Sequence, residues 1–185
     1  MRSIVYLHIL ILLVMHTSAL GEVFDLGERG RLQLVLPEGW KAESHELGRM
    51  GLDITVRPTS DINASCRLTI LLNSLSNPKT AEEIQKGFMA SVGKFIPGSV
   101  EQIAEPIQLK LKKGTGVYAC FTDSSLVGKP SQPRNYKVMA PGVLMPVKGI
   151  MVSLSMFTDD KNGPDFKAMV SMLESMTWEI AKSSV

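Results

Sequence analysis

Two neighbouring runs repeat their apolar residues at every second position, and this period constrains the fold more than any other feature of the chain. Residues 52–57 (LDITVR) put Leu52, Ile54 and Val56 on one face. Residues 66–73 (CRLTILLN) put Cys66, Leu68, Ile70 and Leu72 inward and Arg67 and Thr69 outward. A period of two is that of a strand with one buried face. The residues between the runs, Pro58, Thr59, Ser60 and Asp61, form turns, so the pair is predicted as an antiparallel hairpin.

The same reading extends along the chain. Residues 32–36 (LQLVL) form a short apolar run stopped by Pro37 and Gly39, and Trp40 follows as an aromatic anchor under the sheet. The stretch KAESHELGRM after it reads as a loop. Strand segments are predicted at 100–111, 116–122, 136–144 and 149–157, with turns at Lys112, Lys113 and Gly114 and around residues 146–148. Residues 116–122 alternate, with Val117, Ala119 and Phe121 on one face and Tyr118, Cys120 and Thr122 on the other. The period shifts to that of a helix in only two places. Thr80 with Glu83 makes a capping box before Ile84, Phe88 and Val92, which predicts a helix over 81–95 ending before Pro97. Phe166, Met169, Val170 and Leu173 mark a second helix with Asp165 as its N-cap, and a short terminal strand follows. Strands in consecutive blocks, not alternating with helices, mean an α+β fold: a mostly antiparallel sheet flanked by helices.

The first residues set the compartment. Arg2, an apolar run over 4–15, and the small residues Thr17, Ser18, Ala19 and Gly21 have the order of a secretory signal peptide. Cleavage after Gly21 predicts a periplasmic or secreted protein with no stable membrane insertion, and a single domain over 22–185. Removing 1–21 from the 185 residues leaves 164 and takes away Arg2, so the formal charge falls from +2 to +1. A chain so near neutrality offers no footprint for nucleic acid.

The processed chain keeps one histidine, His45, and two cysteines, Cys66 and Cys120. In an oxidising compartment the cysteines are a candidate disulfide, and the alternative is two buried reduced thiols. Nucleophilic catalysis needs a base beside the nucleophile, so a hydrolase would have to use His45 with Cys120 or a serine. No G-x-S-x-G elbow occurs. One histidine and two dispersed cysteines do not make a zinc set. Asp159 and Asp160 open a loop resembling a calcium site, but its twelfth position is Val170, not glutamate. Met169, Met172 and Met176 fit a helix interior better than a copper site. Gly114-Thr115-Gly116 is a turn with no helix behind it to cradle phosphate. The sequence therefore predicts no metal, no cofactor and no enzymatic activity. Asn63-Ala64-Ser65 is a glycosylation acceptor in a eukaryotic secretory route. Asp123, Lys129 and Arg134, on the polar loop that follows the 116–122 strand, are the candidate binding residues, because rigid sheets collect binding groups on their loops.

A strand ending in LPEGW (36–40), a hairpin, one amphipathic helix, a meander and a final helix closing on TWE (177–179) resemble the PsbP-like superfamily. That group includes the PsbP subunit of photosystem II, the Mog proteins that bind the Ran GTPase, and exported bacterial proteins. The long 124–135 loop and the leader fit the exported bacterial branch. The resemblance implies a three-layer α/β/α sandwich without a common active site, whose members act by binding other proteins. A protein partner is therefore the expected role, with a small ligand held between sheet and helix as the alternative.

Overall fold

The computed structural model describes residues 21–60, 63–72 and 80–181, so the predicted leader lies outside the described residues. In chain order the strands and α-helices are β1 (Glu22–Asp25), β2 (Arg31–Leu34), β3 (Trp40–Glu46), β4 (Gly51–Pro58), β5 (Ser65–Leu71), α1 (Ala81–Val92), β6 (Ile107–Leu109), β7 (Thr115–Tyr118), β8 (Phe121–Thr122), β9 (Val138–Met145), β10 (Met151–Thr158), α2 (Pro164–Ser175) and β11 (Thr177–Glu179).

The large sheet has the order β3-β4-β5-β10-β9-β7-β6, and β8 prolongs the line of β7 along β9. Every pairing in it is antiparallel. The predicted β4–β5 hairpin is present, with Ile54 opposite Leu68 and Val56 opposite Cys66. The predicted alternation of 116–122 is present too: Val117, Ala119 and Phe121 belong to one core cluster and Tyr118 to the other. A small sheet, β1-β2-β11, is stitched by Trp178 of β11 lying opposite Leu32. The indole Nε1 of Trp178 donates to the Arg29 carbonyl at 3.0 Å. Trp40 opens β3 half-buried against the main core.

Two cores result, one on each face of the large sheet. On one face, Ile54, Leu68, Val152, Leu154 and Met156 pack with Met169, Met172 and Leu173 of α2 and with Leu32, Leu34 and Trp178 of the small sheet. Met169 and Met172 are thus buried on the inner face of α2, and Met176, buried as well, is the residue that ends the helix. On the other face, Ile84, Phe88 and Val92 of α1 meet Val117, Ala119 and Phe121. This second layer packs chiefly over β7 and β9. Outward residues of β4, β5 and β10, among them Thr55, Thr69 and Ser153, remain half-buried or exposed.

Thr80 caps α1 by accepting from the Glu83 amide at 3.1 Å. The α-helix ends at Val92 and tightens into a 3-10 stretch over Gly93–Gly98, because Pro97 removes a backbone donor. Gly163 takes the N-cap of α2, with Pro164 first and Asp165 in the first turn, so Asp165 is not the cap. The segment 100–111 is strand only at Ile107–Leu109. Gln102 has φ 55° and Val100 and Ile103 point to solvent, so the apolar residues there do not share a buried face. Residues 41–46, expected as loop, continue from Trp40 to form the edge strand β3.

Candidate functional site

One end of the α1-side face opens into a cleft of about 470 Å³. Its floor follows from strand register: Phe121 of β8 sits opposite Met139 of β9, and Met139 opposite Phe157 of β10. These three therefore form one row on one face. Phe95, carried in by the 3-10 stretch after α1, packs on Phe121 with ring centroids 5.7 Å apart. Tyr136 packs on Phe157 at 5.2 Å. Two aromatic pairs thus flank Met139.

The rim is cationic. Lys94, Arg134 and Lys137 line the cleft with Asp123 as the only acid. Asp123 caps the Ser124–Leu126 turn, accepting from the Ser125 amide at 2.8 Å. The Ser125 bond, chiefly, holds its carboxyl below the usual range. Of the three sequence candidates, Asp123 and Arg134 meet in this cleft, while Lys129 stays on the exposed loop outside its lining. Lys94, Lys137 and Tyr136 were not singled out by the sequence, because each is an ordinary residue in a different segment.

Arg134 has φ 62°. It follows Pro133 in a turn closed by the Asn135 amide on the Gln132 carbonyl at 3.0 Å. Proline first and a positive φ second is the type II pattern, where glycine is the favoured residue. An arginine at this position is strained, and such strain collects at functional rims.

A second cleft of about 410 Å³ lies on the α2 side, lined by Glu101, Tyr118, Cys120, Lys161 and Phe166. Glu101 accepts from the Thr122 amide, the Thr122 hydroxyl and Lys161 Nζ, each at 2.7 Å. Burial alone would raise this carboxyl, but Lys161 and Thr122 outweigh it and hold it at about 2. Burial pushes the Cys120 thiol up to about 11 despite the nearby Lys161, and the Cys66 thiol up to about 12. Neither thiol is activated as a nucleophile.

The candidate disulfide is not formed: Cys66 and Cys120 are free thiols. Register gives the reason. Cys66 lies opposite Met156, and Met156 opposite Ala140. The pairing of Tyr118 with Gly142 and of Phe121 with Met139 brings Cys120 beside Ala140. Two strands separate the cysteines, roughly 14 Å at the usual strand spacing, against a limit of about 7 Å between bridged Cα atoms.

His45 sits on β3 opposite Asp53, exposed at the sheet edge. Five strand steps, roughly 24 Å, separate that edge from the line of Cys120. The neighbouring Asp53 is committed to Arg67 Nε at 2.9 Å and the Thr69 hydroxyl at 2.7 Å. Burial would raise Asp53, yet these bonds leave it below its ordinary value. Among the described residues, no group of three or more His, Cys, Asp or Glu could hold a metal ion. Asp160 instead accepts from the Asn162 amide in the turn before α2. Asn63 of the glycosylation acceptor is half-buried just before β5. Among the described residues no helix is long and apolar enough to cross a membrane.

Comparison with solved structures gives a match to the solution structure of cyanobacterial PsbP (CyanoP) from Synechocystis sp. PCC 6803. The TM-score is 0.51 at 14% identity, covering 87% of this chain and 94% of that one. The chain has a PsbP-like fold. A crystal structure from Bacteroides thetaiotaomicron VPI-5482 aligns at TM-score 0.49 and 11% identity, over 89% of this chain and 50% of that one. No family model and no curated protein matches the sequence. The PsbP-like fold positions the aromatic cleft where the second layer stops, beyond the end of α1.

Proposed function

We propose that this chain is an exported, non-enzymatic binding module that engages a protein partner through the sheet face beside α1. One observation carries the reading. The α1 layer packs chiefly on β7 and β9, and an open groove of about 700 Å³ runs between the helix and β10. Ile84, Phe88 and Phe95 line its helix side, and Val143, Met151 and Ser153 its sheet side. An apolar groove bordered by the polar outer faces of β4 and β5 has the anatomy of an interface, apolar at the centre and polar at the rim. The leader-like first residues support an exported location. The distance of His45 from Cys120, and two thiols raised by burial, support the absence of catalysis.

A photoreactive residue in place of the exposed Ser153, in the full chain expressed in its own host, tests the reading. A single adduct of defined mass, competed away by excess unlabelled chain, is the expected result. No adduct, or the same adducts from a probe at the exposed Glu28, in the turn before β2 on the small sheet, overturns it. The second reading is a small-ligand binder, favoured by the aromatic cleft next to that groove.

A further inference from the structure

We propose that the cleft between Phe95, Tyr136 and Phe157 binds a small planar aromatic anion, an aromatic carboxylate being the simplest member of the class. The proposal rests on the ligand-binding reading and names its chemistry. It does not depend on a protein partner in the α1 groove.

The floor selects for a flat apolar body. Phe95 with Phe121 and Tyr136 with Phe157 stand on either side of Met139. A planar ring entering between them meets aromatic rings on two sides and the soft thioether of Met139, contacts that favour aromatic over aliphatic bodies. The volume, about 470 Å³, lies in the range of sites for small ligands.

The rim selects for negative charge. Lys94, Arg134 and Lys137 come from three separate segments and converge on one opening. Among the described residues none of the three makes an ion pair, although five other pairs are formed elsewhere on the molecule. The Lys94 ammonium lies over the Phe95 ring, 5.0 Å from its centroid, and so stands at the edge of the aromatic floor. Asp123, the one acid of the lining, offsets one of these three charges and leaves the rim net positive. The turn at Pro133–Arg134 sets an arginine beside the cleft at a backbone position where glycine would be easier. A neutral aromatic would leave the net positive charge of the rim unmatched. A simple inorganic anion would leave the aromatic floor wet. A ligand carrying both features satisfies both halves of the site.

The experiment is an amide NMR titration of the processed chain with 2-naphthoate, run beside 2-naphthylmethanol and inorganic phosphate. The expected result is saturable binding of 2-naphthoate, with shifts gathered at residues 94–99, 121–123, 134–139 and 157. The double variant Arg134→Gln, Lys137→Gln should weaken it about tenfold or more, as loss of charge-assisted contacts does. The dispersion of its spectrum reports that it is folded. Equal binding of the naphthyl alcohol overturns the anionic class while leaving a ligand cleft in place. Equal binding of phosphate overturns the aromatic requirement. No saturable shift at about millimolar concentration, or shifts confined to the α1 groove, overturns the site itself.

Discussion

Replacing Glu101 by glutamine should convert an acid-sensitive protein into one whose stability is flatter with pH. Glu101 holds three donors: the amide and hydroxyl of Thr122 at the end of β8, and Lys161 just before α2. Its side chain is 17% exposed, against 41% for Lys161. The carboxyl lies at about 2 in the folded chain against an ordinary 4.5. At about 1.4 kcal/mol per pH unit that displacement corresponds to about 3 kcal/mol, and screening at the exposed lysine reduces it to about 2 kcal/mol. A carboxylate depressed by folding stabilises fully above its unfolded value and loses that stabilisation as pH falls toward the folded one. Between about pH 5 and pH 2 the native chain should therefore lose about 2 kcal/mol that Glu101→Gln does not. Urea unfolding at a series of pH values measures this. The variant should be about 2 kcal/mol less stable at neutral pH, and the two curves should converge near pH 2. Other carboxylates titrate in both proteins and cancel in the difference. A gap that stays constant from pH 7 to pH 2 would refute the assignment, because the loss would then come from packing and not from charge.

Further outcomes follow from the same structure. The unreduced and reduced proteins should have equal mass, since a bridge between Cys66 and Cys120 would lower the first by about two daltons. Ile54→Ala removes a fully buried side chain from the main core and should cost about 2–5 kcal/mol by chemical unfolding. Thr80→Ala removes the α1 cap and should cost about 1 kcal/mol. Gly51→Ala, at the buried first residue of β4, should cost about 3 kcal/mol or more, read as a drop in Tm. The backbone there has φ +149°, and an added Cβ would lie 1.7 Å from the Ile70 carbonyl oxygen.

Where a strand buries one full face, its sequence announces it. Leu52, Ile54 and Val56, and Val117, Ala119 and Phe121, alternate because the other face is solvated or belongs to a different core. β3 escaped detection because an edge strand buries little. After the half-buried Trp40 and Ala42 its residues are polar and exposed, which also discourages sheet-to-sheet association. β1 escaped because its four residues begin at the predicted cleavage point. Segment 100–111 misled because Val100, Ile103 and Ile107 are exposed apolar residues. The binding cleft was legible only at Asp123 and Arg134. Lys94, Lys137 and Phe157 come together only because the 3-10 stretch after α1 packs over the end of β9 and β10, and no local spacing encodes that. Glu101 and Lys161 are likewise joined only by the fold, 60 positions apart.

The middle of the large sheet has a kinetic consequence. β5 ends at Leu71, and its inner neighbour β10 begins at Met151, so the central seam joins segments that leave the ribosome far apart in time. The N-terminal hairpins must wait with one side of β5 unpaired until most of the chain has emerged. Closing so long a loop is slow, and an open strand in the meantime invites wrong partners. Escort of the nascent chain should matter more for this molecule than for a meander of equal size, because its last-made strand, β11, also completes the first-made sheet.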